Sequence, residues 1–120
     1  MLKRIGAALL VSAAAATMTT LTAAPASAAE EVRSHCGHGV CVAVRIDYRW
    51  SRYARVVDMT VSTVNKKPAK LHGFIADWSR WADNKHNQFW SVGQDFDRST
   101  WACGEAWVGD HMIDRPCVRI

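Results

Sequence analysis

The sequence predicts an all-β fold: a small antiparallel β-sandwich or barrel of about six strands, stapled by two disulfides. Three observations carry this expectation. The run "VCVAVRIDYRW" at residues 40–50 alternates apolar and polar side chains without interruption. Turn-forming residues recur at short intervals, and no segment sustains the i, i+3, i+4 apolar spacing of an amphipathic helix. Four cysteines, an even number, follow an opening segment with the layout of a secretory signal.

In that opening segment Lys3 and Arg4 supply a positive start and Ile5 to Ala16 an apolar stretch. Pro25 follows as a helix breaker, and Ala26-Ser27-Ala28 forms a small-residue cleavage site. Thr17 to Thr22 and Pro25 make its second half too polar for a comfortable bilayer span, which disfavours an anchor. The expected organisation is a signal peptide over residues 1–28 and a single mature β-domain over residues 29–120, secreted and extracellular. Cleavage removes Lys3 and Arg4 but no acid, so the formal +4 of the whole chain shrinks toward balance. So small a charge supports neither a nucleic-acid partner nor stable membrane insertion after cleavage. A domain of this size buries only a modest core, and covalent staples are a common supplement.

"HCGHGVC" holds two cysteines and two histidines in seven residues. The spacing does not match a zinc finger, and no second ligand pair follows. In an oxidising compartment Cys36 and Cys41 are expected to pair, with Gly37 and Gly39 relaxing the tight ring. His35 and His38 then sit exposed on the ring, and nothing local brings His72, His86 or His111 to them. No metal and no cofactor is expected.

The first strand places Val40, Val42, Val44, Ile46, Tyr48 and Trp50 on one face. "ARVVDMTVSTV" continues with Val57, Met59 and Val61 on one face, after a connection at residues 51–54. "NKKPAK" is a polar turn, "LHGFIADW" a strand, "ADNK" a turn and "HNQFWSV" a strand. Asp95, Asp97 and Ser99 open like a calcium loop, but Thr100 and Ala106 stand where glycine and glutamate are required. "DFDRST" is therefore read as an Asx-type turn. The end of the chain reads as two strands around Gly109-Asp110. A Gly109-Asp110-His111 loop sets Cys103 opposite Cys117, Glu105 opposite Arg115 and Trp107 opposite Ile113. A two-residue loop would offset the cysteines by one. Local pairings Cys36–Cys41 and Cys103–Cys117 are favoured, with crossed pairings such as Cys41–Cys103 open.

Six tryptophans are a heavy load for one small domain. Trp50, Trp101 and Trp107 fall on faces expected to be core. Trp78 and Trp81, beside a polar turn, are candidates for stacking on sugar rings. Arg49, Arg52 and Tyr53, in "YRWSRYAR", are candidates for recognising a protein or an anionic polymer. Trp50-Ser51-Arg52-Tyr53 departs from the Trp-Arg-Tyr loop of a family of small secreted α-amylase inhibitors by the inserted Ser51, and its cysteine spacings differ. No family is recognised on these residues. For catalysis, neither a Gly-x-Ser-x-Gly elbow nor a His-Glu-x-x-His helix is present, which leaves no assigned catalytic residue. Asp110, His111 and Asp114, with Glu105 nearby, form the residual candidate cluster. The leading expectation is a secreted, monomeric binding domain directed at an extracellular protein, with hydrolase inhibition as one outcome. A cell-wall or carbohydrate binder comes second, and a small secreted enzyme or toxin third.

Overall fold

The computed structural model describes residues 30–47 and 52–120. The signal-peptide reading of residues 1–28 lies outside them, as do Tyr48, Arg49, Trp50 and Ser51. The described chain is all-β, two antiparallel sheets packed face to face. Its strands are β1 (Glu30–Cys36), β2 (Val40–Asp47), β3 (Tyr53–Thr63), β4 (Ala69–Ile75), β5 (Trp78–Lys85), β6 (Asn87–Asp97), β7 (Trp101–Val108), β8 (His111–Asp114) and β9 (Cys117–Arg119). One sheet runs β1-β2-β3-β6, and the other runs β5-β4-β7-β8 with β9 also on β7.

The alternation read in β2 is real: Val40, Val42, Val44 and Ile46 are fully buried and Cys41, Ala43, Arg45 and Asp47 face outward. On β3 the expected Val57, Met59, Val61 face needs correction. Arg45 pairs with Asp58 and Ile46 with Val56, so Val57 is the extra residue of a bulge. The bulge switches parity, burying Ala54 and Val56 before it and Met59 and Val61 after it. Strand β1 has no counterpart in the sequence reading. It is an edge strand exposed along nearly its whole length, so no apolar period marks it.

The turn expected at "ADNK" lies elsewhere. Chain reversal occurs at Ala76-Asp77, where Ala76 adopts φ +52°, and "LHGFIADW" is thereby split between β4 and β5. Asp83 and Asn84 instead form an irregularity within β5, where the pairing steps from Leu71–Ala82 to Ala69–Lys85. The chain then crosses between sheets at His86, whose carbonyl accepts a hydrogen bond from the Thr63 N–H. The Asx turn is present as expected: the Ser99 N–H donates to the Asp97 carboxylate at 2.9 Å.

At the C-terminal hairpin the loop is the two-residue Gly109-Asp110, not Gly109-Asp110-His111, yet the cysteine register expected from the longer loop is kept. Val108 pairs with His111 around a two-residue turn, and a bulge between Ala106 and Trp107 restores the register that sets Cys103 opposite Cys117. Trp107 consequently faces Met112, not Ile113. Both disulfides form as the local pairing predicts, Cys36–Cys41 and Cys103–Cys117.

Bulk on β7 misleads about direction. Trp101, Cys103, Glu105 and Trp107 face outward, while Ala102, Gly104 and Ala106 face the core. Small residues serve there because the opposite sheet fills the space. A methyl built on Gly104 would lie 2.8 Å from Val61 Cγ2, and one on Gly73 2.8 Å from the Trp90 ring. Trp101, expected in the core, is 52% exposed. Gly37 and Gly39 also owe their place to sterics, since neither has positive φ. A side chain on Gly37 would collide with the Asp114 carboxylate, and one on Gly39 with Ile113.

Candidate functional site

The outer face of the five-stranded sheet carries the densest chemistry. Because side chains alternate along a strand, β4 presents Lys70, His72 and Phe74 outward while Ala69, Leu71, Gly73 and Ile75 line the core. Register then sets His72 between Trp81 on β5 and Glu105 on β7. The imidazole stacks on the Trp81 indole at 3.8 Å between centroids and an interplanar angle of 1°, and on Phe74 at 4.9 Å.

The same ring joins three strands by hydrogen bonds. Nδ1 lies 2.7 Å from Glu105 Oε1, and Nε2 lies 2.6 Å from Ser79 Oγ. Glu105 also accepts from Trp107 Nε1 at 3.0 Å and from Arg115 Nε at 2.6 Å. Burial by itself pushes the Glu105 carboxyl up. The hydrogen bonds from His72, Trp107 and Arg115, together with the Arg115 charge, reverse this and hold it below the ordinary glutamate range. A carboxylate only accepts, so Nδ1 must carry the hydrogen toward it. In the neutral ring Nε2 is then left with a lone pair to accept the Ser79 hydroxyl proton.

Beside this network lies a groove of about 230 Å³ lined by Lys70, Trp81, Trp107, Gly109 and Asp110. Trp81 is half exposed, and Lys70 Nζ sits 5.0 Å from its ring centroid. A larger open cleft of about 560 Å³ lies between β1 and β9, with Trp101 beneath the Arg119 guanidinium. The smaller groove is the stronger candidate, because its aromatic wall is held by stacking and the neighbouring acid is nearly enclosed.

The structure treats the expected site residues unequally. Trp78, proposed as an exposed stacking residue, is only 3% exposed; it packs in the core, edge-on to Trp90. Its parity on β5 is inward, whereas Trp81 is outward. Arg52 and Tyr53 stay together on the surface, the guanidinium 5.6 Å from the phenol ring, and Arg52 also pairs with Asp97 at 3.4 Å. Their expected partner Arg49 lies outside the described residues. Arg55 and Arg45 are likewise answered by Asp95 and Asp58, so little net positive charge collects there.

The cluster of Asp110, His111 and Asp114 does not converge. Asp114 accepts from the Gly39 and Val40 N–H groups at 3.0 and 3.3 Å, fastening β8 to the start of β2. Burial pushes its carboxyl up, but backbone hydrogen bonds from Gly39, Arg115 and Val40 and the nearby His38 hold it below the usual aspartate value. Asp110 belongs to the groove, and His111 is exposed. Among the described residues no group of three or more His, Cys, Asp or Glu side chains is placed to hold a metal ion.

Sequence reasoning missed the Ser79–His72–Glu105 chain. Glu105 stands 33 residues from His72, and only the β4–β7 pairing joins them. The one local sign was a glutamate at an alternate position between Cys103 and Trp107. Comparison with known proteins supplies no analogue of this arrangement: no family model, no curated protein and no solved structure matches the chain.

Proposed function

We propose that the protein is a secreted binding domain that recognises a cell-wall carbohydrate polymer through the outer face of its five-stranded sheet. The observation that carries this reading is Trp81, an indole left half exposed while its ring is fixed against His72. A rigid aromatic surface offers a sugar ring apolar C–H contact at little entropic cost. Lys70, Asp110 and the Trp107 ring border it, supplying a donor and an acceptor for hydroxyl groups. The two disulfides fit an oxidising, extracellular setting.

A protein partner is the second reading, supported by the exposed Arg52–Tyr53 pair at the start of β3. Retention of the disulfide-intact protein on insoluble peptidoglycan, chitin and cellulose separates the two. Trp81→Ala is expected to weaken retention about tenfold or more, the effect of about 1.4 kcal/mol, while Arg52→Ala leaves it unchanged. Equal retention of wild type and Trp81→Ala on every polymer refutes the carbohydrate reading.

A further inference from the structure

We propose that Ser79 is a nucleophile, activated by His72 and Glu105, that attacks accessible acyl esters. Three groups from three adjacent strands supply the parts: hydroxyl on β5, imidazole on β4, carboxylate on β7. Their burial is graded in the useful order. The Glu105 side chain is 4% exposed and His72 14%, whereas Ser79 is open to solvent. An enclosed acid orients the base, and the base meets the hydroxyl where a substrate can reach it.

The ring is also prevented from turning away. Trp81 and Phe74 stack on it, and the Glu105 carboxylate is held by Trp107 and Arg115. All three groups stand on strands, which position side chains more rigidly than loops do. Strand β5 is the outermost of its sheet, so alternate backbone N–H groups along it face away from β4. Those N–H groups are the donors available to a developing oxyanion.

The step balances without a further reagent. Ser79 Oγ bonds to the ester carbonyl carbon as its proton passes to His72 Nε2, and Glu105 stabilises the imidazolium. The tetrahedral intermediate collapses, the bond to the alcohol oxygen breaks, and Nε2 returns the proton to that oxygen. Water then attacks the acyl-Ser79 ester with His72 as base, releasing the carboxylic acid and restoring the hydroxyl.

The test uses a fluorophosphonate probe and p-nitrophenyl acetate on the disulfide-intact protein, with the adduct mapped by peptide mass. The expected result is one adduct, on Ser79, and ester turnover that falls about 100-fold or more in Ser79→Ala and His72→Gln. Ser79 is exposed, so Ser79→Ala is expected to retain the wild-type melting curve and reads the chemistry even if His72→Gln does not fold. No adduct, an adduct spread over other serines, or unchanged turnover in Ser79→Ala overturns the proposal. Ser79→Ala leaves Trp81 in place, so this proposal and the carbohydrate reading fail separately.

Discussion

Replacing Glu105 by glutamine tests the central network, because the amide keeps the size of the carboxyl and removes its charge. Glu105 accepts from His72, Trp107 and Arg115. Arg115 is half exposed and regains water, so most of the penalty falls on the other two donors. Each hydrogen bond to a charged group is worth about 1.5–3 kcal/mol, and an amide oxygen recovers part of that. The net cost is about 2–3 kcal/mol near pH 7, a drop of roughly 10–20 °C in Tm for a domain of this size.

The same variant has a defined pH signature. The Glu105 pKa is lower in the folded protein than its ordinary value of 4.5. Its stabilisation is therefore complete above the unfolded value and is lost as pH falls through the folded one. A protonated glutamate resembles glutamine, so wild type and Glu105→Gln should converge as pH falls below the folded value. Asp97 and Asp114, whose carboxyls are also held low, titrate in both proteins and cancel in the difference. Urea unfolding followed by tryptophan fluorescence at several pH values measures the gap. A gap that stays constant with pH, or is absent near neutrality, refutes the account of Glu105 as a charged, triply bonded acceptor.

Other expectations follow from packing and covalent structure. Trp78→Ala should cost about 3–5 kcal/mol in urea denaturation, whereas Trp81→Ala should cost under about 1 kcal/mol; similar losses would contradict their opposite placement on β5. Gly104→Ala should destabilise by about 1–3 kcal/mol through crowding against Val61. Adding Val61→Ala should recover part of it in a double-mutant cycle, and strict additivity would deny the contact. Replacing both Cys103 and Cys117 by serine opens a ring of about 15 residues and should cost roughly 3 kcal/mol. The smaller Cys36–Cys41 ring should cost about 2 kcal/mol, and a reversed order in thermal melts would argue against chain entropy as the source.

What could be read from the chain was whatever announces itself locally. Val40, Val42, Val44 and Ile46 alternate because β2 is central and packs one face against the other sheet. Cys103 and Cys117 could be paired because they belong to one hairpin arm and its return. Direction on β7 could not be read, since small inward residues work only when Val61 and Val42 reach across to fill them. Trp101 and Trp107 therefore pointed the wrong way in any reading based on bulk. Bulges hid Val57 and the Ala106–Trp107 step, because one inserted residue reverses every later assignment. The Ser79–His72–Glu105 chain was invisible for a different reason: each residue is ordinary alone, and the register of three strands creates the relation.

Each disulfide joins neighbours within a single sheet, Cys36 to Cys41 in one and Cys103 to Cys117 in the other. Neither crosses the interior, so among the described residues the two leaves of the sandwich are joined by connecting chain, by the apolar seam between them and by hydrogen bonds at its rim, from the Gly39 and Val40 N–H groups to Asp114 and from Arg33 to the Arg119 carbonyl. A motion that parts the leaves breaks no covalent bond, whereas one that frays either stapled hairpin must work against a ring. The molecule is accordingly covalently braced within each leaf and held across the seam by noncovalent contacts alone. Reduction should loosen the leaves while leaving the adhesion between them to Val61, Val42, Met59 and the small residues they meet, and to the Asp114 carboxylate on the start of β2.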